Sequence, residues 1–307
     1  MSAIIQNRSK SSLIMQAIRP FSFTASVTTV LVAAVSAIAL NAPHVDWFLL
    51  PIVLFGAVLF HTSSNLISEY HDYKYRVDRP DTFGSSRILV DNLMQPKQIL
   101  LMGYLSLGLG LLLGSVLIYF RGLEILYYGI AGVIGAVFYT AKPFRFKYNA
   151  LGDILVFLMF GPILILGSYL GLTGHVNTEL IWISVPIALL VVGILHANNT
   201  RDIKHDTEAK VNTFASVIGL KNSLIEYKFL VYGAYISAIL LAVFKILDWY
   251  VLTVILSFPG ALKNIKEIQK ADIDNPQEIA MLDVKTAQHH TQFGILYIIG
   301  IILSALL

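Results

Sequence analysis

NLISEYHDYKYRVDRPD, residues 65–81, closes a nearly unbroken apolar run with four carboxylates: Glu69, Asp72, Asp78 and Asp81. Asn65, Glu69 and Asp72 are spaced i, i+4, i+7. At 100° per residue they lie within about 60° of one another on one helix face. Asp78 falls off that face, so the helix is expected to end or bend before it. An acidic stripe at the mouth of an apolar helix sets the reading of everything around it.

Outward from this stretch, the chain of 307 residues is 56% hydrophobic and 13% charged. A soluble domain carries about 25% charged residues, so this composition is that of an integral membrane protein. The chain has no cysteine, which excludes a disulfide framework, thiol chemistry and a thiolate metal site. Neither GxGxxG nor a P-loop occurs, which argues against a nucleotide fold, and no nucleic-acid partner is expected. AIALNA at 37–42 resembles a signal-peptidase site. The charged region before it is long and many spans follow, so an uncleaved first helix is expected.

A crossing helix needs roughly 20 mainly apolar residues. Nine such runs are expected, at about 24–41, 47–67, 99–120, 123–141, 151–172, 178–198, 226–244, 246–262 and 291–307. They read as an all-α bundle around a central cavity, a single domain over 1–307. Residues 1–23 form its cytoplasmic N-terminal segment, with a short interfacial helix near 7–20 ended by Pro20. Of the 22 Lys and Arg, all but Arg121 and Lys245 fall on one side of this arrangement. The positive-inside rule puts that side, with the N-terminus, in the cytoplasm of a cell that carries the protein in its inner membrane.

A second acidic stretch, HANNTRDIKHDTEAK at 196–210, ends the expected sixth span. Asn198, Asp202 and Asp206 are spaced i, i+4, i+8 and also share a face. Four spans separate the two stretches, so both reach the same side, in a pattern that resembles an internal duplication. One such cluster reads equally well as a solvated helix end. Two matched clusters point to function, because ionisable groups at membrane depth are costly. Carboxylates on facing helices repel unless a cation lies between them. Hard oxygen ligands suit Mg²⁺, which shares its sites with substrate phosphates. By spacing, His71 and His205 point away from the acidic faces, and too few histidines are near for zinc. The expected ligand is a Mg²⁺-bound phosphate or diphosphate, with a lipid or isoprenoid tail among the apolar spans.

Basic groups follow in the same loops. FGSSRILVDN at 83–92 supplies Arg87; YTAKPFRFKYNALGD at 139–153 supplies Tyr139, Lys142, Arg145 and Lys147; Arg201 and Lys204 interleave with the second acidic stretch. Such groups clamp phosphate oxygens and stabilise a leaving group. They also serve as plain topology signals. Arg87, Lys142 and Arg145 stand out because they adjoin small or turn-forming residues.

With these stretches in view, the chain resembles the UbiA superfamily of membrane prenyltransferases over nearly its whole length. NLISEYHDYKYRVD, GSSRILV, YTAKPFRFKYNALGD and NNTRDIKHD are most similar to the dihydroxynaphthoate-using branch of menaquinone synthesis. That branch usually has NxxND in the first motif, where this chain has Asn65, Ser68 and Glu69. The resemblance implies that Asn65, Glu69, Asp72, Asn198, Asp202 and Asp206 hold two Mg²⁺ ions and the diphosphate of a polyprenyl donor. Asp72, Asp202 and Asp206 would be central to catalysis. Arg87, Tyr139, Lys142, Arg145, Arg201 and Lys204 would bind substrate, and Asp78 and Asp153 would assist the acceptor. Aromatic walls would shield an allylic cation. It further implies attack by 1,4-dihydroxy-2-naphthoate, with loss of CO₂, to give demethylmenaquinone. Hydroxybenzoate and homogentisate remain alternative acceptors. A transporter of anionic metabolites or metal ions is a rival class, but transporters place their polar groups near the midplane rather than at helix ends. A phosphatidyl transferase would need a DGxxAR signature that this chain lacks.

Overall fold

The computed structural model describes residues 9–80, 82 and 86–307, so Asp81, Gly84 and Ser85 lie outside the described residues. Twelve α-helices follow one another among these residues. Helix α1 (Lys10–Ile18) starts at Ser9, whose hydroxyl accepts from the Ser12 amide. It stops at Arg19, held at φ 57°, and Pro20 opens a 3-10 turn that leads into α2 (Thr24–Ala39). Helix α3 (Leu50–Lys74) carries the opening stretch. Gln95 and Gln98 cap α4 (Pro96–Arg121) reciprocally, satisfying amides that a helix start leaves orphaned. Next come α5 (Glu124–Phe138) and α6 (Gly152–Leu158), then a π-turn over Met159–Ile163 and α7 (Leu164–Thr173). Helix α8 (Glu179–Arg201) passes through Asp202 into the short α9 (Ile203–Glu208). The chain ends with α10 (Phe214–Val243), α11 (Phe258–Ile268) and α12 (Leu282–Leu306).

Among the described residues, seven helical segments are long and apolar enough to cross a membrane: Pro20–Ala39, Trp47–Lys74, Pro96–Arg121, Gly152–Thr173, Glu179–Arg201, Phe214–Val243 and Pro276–Leu306. The two remaining expected spans are present in shorter form. The expected fourth is α5, with 15 residues. The expected eighth is divided into a 3-10 segment, Trp249–Ser257, and the 11 residues of α11. Proline at 259 sits in the first turn of α11, where a missing amide costs nothing.

Two apolar cores flank a central space. One joins α2, α8, α10 and α12 through Ile183, Ile187, Val231, Ala234, Phe293 and Tyr297. The other joins α2, α3, α4 and α7 through Val30, Val53, Leu117 and Leu170. Small residues let the helix backbones approach, as membrane helices require. A Cβ on Gly103 of α4 would sit 3.0 Å from Ile67 Cγ1 of α3. A Cβ on Gly300 of α12 would sit 2.5 Å from the Tyr250 carbonyl oxygen. At the end opposite the acidic clusters, Arg121 donates to the carbonyls of Gly171 (2.9 Å) and Leu172 (2.8 Å) and pairs with Asp46. It thereby covers the C-terminal carbonyls of α7, a favourable place for a cation.

Candidate active site

Helix α3 ends at Lys74, yet Asp78 is not lost to the site. The chain turns back on itself, with the amides of Val77 (2.8 Å) and Asp78 (3.3 Å) bonded to the Asp72 carbonyl. On the other side, α8 ends at Arg201 without breaking the helical path. The Asp202 amide still bonds Asn198 O (3.1 Å), and the Asp206 amide bonds Asp202 O (2.8 Å). The two stretches therefore converge. Glu69, Asp72, Asp78, Asn198, Asp202 and Asp206 all line one small pocket of about 40 Å³, together with Arg19, Asn199, Lys147 and His205. His205 thus lines the pocket with the acids, against the direction expected from spacing.

Each acid has a distinct environment. Asp72 accepts from Lys147 Nζ (2.8 Å) and Tyr148 Oη (2.6 Å). Glu69 accepts from Ser86 Oγ (2.7 Å) and the Ser86 amide (3.2 Å), which anchors the loop after α3. Asp206 accepts from Thr213 Oγ1 (2.9 Å). Asp202 accepts from Arg201 Nε (2.9 Å) and Nη2 (2.8 Å). Asn65 lines the adjoining larger cavity, and its Nδ2 donates to Ile18 O (3.0 Å) and Ser22 Oγ (3.1 Å).

The basic residues divide sharply. Lys147 reaches the acids because the 3-10 turn Phe146–Tyr148 follows Arg145, held at φ 49°. Burial works against its ammonium, but Asp72, then Tyr139 and Asp206, outweigh that and raise its pKa. Arg19 also faces the pocket. Arg201 commits all five donors: to Asp202 twice, to Asn198 Oδ1 (2.6 Å), to Asp283 Oδ2 (3.4 Å) and to Ala280 O (3.1 Å). No donor is left for a phosphate, so Arg201 positions Asn198 and Asp202 instead. Arg87 pairs with Asp91 (2.9 Å) and Lys204 with the exposed Asp274 (2.8 Å), and neither lines the pocket. Lys142 is exposed, and Arg145 stacks its guanidinium 4.2 Å from the centre of the Tyr75 ring. Asp153 is tied to His196 Nδ1 (2.9 Å) and Asn199 (3.4 Å) between α6 and α8. Tyr139 lines the larger cavity.

Among the described residues, no three of the His, Asp and Glu side chains already stand together as a metal-ligand group. The charge balance nevertheless fits a cation. Five carboxylates line the small pocket against Arg19 and Lys147. Asp78 Oδ2 is buried with no hydrogen-bond partner. Burial, with repulsion from Asp72, pushes the Asp78 carboxyl well above its usual range. Burial also raises Asp206 to about 7, with relief from Lys147 and repulsion from Asp202. An all-oxygen donor set of this kind suits Mg²⁺.

The small pocket opens into a cavity of about 400 Å³ that runs between the two apolar cores. Its walls include Phe60, Tyr128, Met159, Phe160 and Leu195. Arg19, Ser68, Asp72, Lys147 and Asn198 line both spaces.

Comparison with known proteins agrees with this geometry. Residues 27–304 match the UbiA prenyltransferase family. The chain is 33% identical over 297 residues to UbiA prenyltransferase domain-containing protein 1 of Dictyostelium discoideum, covering 95% of this chain and 87% of that one. It is 30% identical over 301 residues to 1,4-dihydroxy-2-naphthoate octaprenyltransferase of Bacillus subtilis (strain 168), covering 97% and 95%. Its fold is similar to a UbiA homolog from Archaeoglobus fulgidus bound to DMAPP and Mg²⁺, with a TM-score of 0.60 at 14% identity, covering 92% of this chain and 98% of that one.

Proposed function

We propose, from the premise that this chain belongs to the UbiA prenyltransferase family, that it transfers a polyprenyl group from its diphosphate to 1,4-dihydroxy-2-naphthoate. The observation that carries this reading is the junction of an acidic pocket with an apolar cavity through five shared residues. A diphosphate fits the first space and an isoprenoid chain the second. The Bacillus subtilis relative, named for dihydroxynaphthoate, supports the choice of acceptor.

Asn65, Glu69, Asp72, Asn198, Asp202 and Asp206 would hold two Mg²⁺ ions, with Asp78 facing them. When bound, those ions neutralise charge on the departing diphosphate. Lys147 and Arg19 reach the same oxygens and stabilise the leaving group from the protein side. The C1–O bond of the donor breaks and the diphosphate leaves with the electron pair. Phe60, Phe160 and Tyr128 keep water from the allylic cation and face it with π-systems. The acceptor's carboxylate-bearing carbon forms the new C–C bond. CO₂ then leaves without its bonding electrons, restoring the aromatic ring and giving reduced demethylmenaquinone. The protein would be one domain with α5 and the Trp249–Ile268 segment as its two additional crossings. Its acidic face would lie in the cytoplasm of the cell membrane.

The test is product formation by membranes given Mg²⁺, a polyprenyl diphosphate and a panel of aromatic acceptors. Prenylated naphthoquinone with loss of the carboxylate is expected, with much weaker use of 4-hydroxybenzoate. Robust prenyl-hydroxybenzoate and no prenyl-naphthoquinone would overturn the choice of acceptor while leaving prenyl transfer intact.

A further inference from the structure

One polar group in the wall of the apolar cavity has no part in the chemistry above. His61 lies one turn before Asn65 on α3, about 6 Å deeper along the helix axis. Its ring is held from three sides. Ser22 Oγ lies 3.3 Å from Nε2, Ser26 Oγ lies 2.9 Å from Nδ1, and the rings of Phe23 and Phe160 lie 5.5 and 4.8 Å away. Phe160 belongs to the π-turn before α7, a device that often marks functional positions. Its freed carbonyl is taken by Thr29 Oγ1 of α2 (2.8 Å).

The hydrogens in this group can be assigned. Ser22 Oγ donates its single hydrogen to Arg19 O (2.9 Å) and accepts from Asn65 Nδ2 (3.1 Å). Taking the shorter of these Ser22 contacts as its donated bond, Nε2 of His61 carries the proton and donates to Ser22. That leaves Nδ1 as an acceptor, so Ser26 donates to it. Ser26 has then spent its only hydrogen and keeps its lone pairs. Ser26 and His61 both line the cavity. Ser26 thus presents lone pairs to the cavity and no free hydrogen.

We propose that Ser26, positioned by His61, is the acceptor-hydroxyl subsite: it takes the O–H hydrogen of one ring hydroxyl of the aromatic acceptor. This rests on the prenyl-transfer reading and names what selects the acceptor within it. A donated O–H bond leaves the oxygen lone pairs to enrich the ring and fixes which carbon faces the prenyl C1. Ser26 touches the substrate; His61 acts through Ser26.

The experiment measures binding of dihydroxynaphthoate and its methyl ethers to the purified protein in lipid nanodiscs. Wild type is expected to prefer the dihydroxy compound over the dimethyl ether by at least about tenfold, the value of one neutral hydrogen bond plus an uncompensated acceptor. Of the two monomethyl ethers, one should keep its affinity and the other should lose it. Equal affinity for both would overturn the subsite without any variant being needed. Ser26→Ala and His61→Phe should bring the dihydroxy-to-dimethoxy ratio close to one. His61→Gln, whose side-chain carbonyl can accept from Ser26, should restore most of the preference. A merely structural His61 would lower stability in these variants and leave the ratio unchanged, which would also overturn the proposal. Wild-type turnover of dihydroxynaphthoate separates the two levels: transfer without hydroxyl preference removes the subsite alone, whereas no transfer removes the acceptor reading.

Discussion

Lys147 and Arg201 carry the same charge beside one acidic cluster, but they pair with different acids and do different work. Lys147 has one strong partner, Asp72, and faces both the pocket and the cavity. Lys147→Ala would strand Asp72 in a buried site and remove a cation from the leaving group. The expected loss in kcat is roughly a hundred- to a thousandfold, read by prenyl-transfer assay beside a Lys147→Arg control that keeps part of the activity. Arg201 is closed off by its five bonds. Its second carboxylate, Asp283 at the start of α12, is far from both motifs in sequence, yet it helps fix the guanidinium that orients Asp202. Asp283→Asn should therefore weaken Mn²⁺ binding about tenfold or more, measured by titration with the metal alone. Asp206 adds a pH dependence. Its folded pKa, about 7, lies above the ordinary 3.8, so the folded chain holds a proton that the unfolded chain releases. The associated stability is full below about pH 4 and is lost as pH rises toward 7. In EDTA the unfolding temperature should fall between pH 5 and 7.5 by roughly 5 °C. Mg²⁺ should raise it more at pH 7.5 than at pH 5.

At the scale of elements, backbone meets backbone where α12 crosses the 3-10 segment Trp249–Ser257. A Cβ on Gly300 would meet the Tyr250 carbonyl oxygen at 2.5 Å and Val251 Cα at 2.7 Å, both backbone atoms. Neither can rotate away, so Gly300→Ala should cost about 1–3 kcal/mol through overpacking. Gly108 on α4 provides the control, with nothing within 4 Å of a new Cβ. Gly108→Ala should be neutral or slightly stabilising. Unfolding temperatures of the two variants in detergent should separate clearly, and equal values would contradict the packing described.

For the whole molecule, the proposed topology rests on charge distribution. The acidic pocket and nearly all basic residues share one face, while Arg121 and Lys245 mark the other. The absence of cysteine makes this directly measurable. Lys204→Cys should react with an impermeant thiol reagent only from the cytoplasmic side, and Lys245→Cys only from the opposite side. Neither residue lines the cavities, so both variants should retain activity.

Helical periodicity and apolar length depend on local sequence alone. The seven long crossing segments and the acidic faces of 65–72 and 198–206 were legible without coordinates for that reason. Other features of the site were not. Asp78 lies beyond the end of α3 and enters the pocket only because the chain folds back onto the Asp72 carbonyl. In the basic loop after α5, small or turn-forming neighbours singled out Lys142 and Arg145 rather than Lys147. Left-handed backbone at Arg145 turns Lys147 inward and leaves Arg145 against Tyr75. Glu69 read as one more acid in a stripe, yet its hold on Ser86 is a loop contact made 17 residues away. Arg19 and Asp283 lie outside the acidic motifs, and only packing brings them to the cavity. The physical reason is the same in each case: a helix sets which way its own side chains point, whereas a partner on another helix is chosen by how the helices pack.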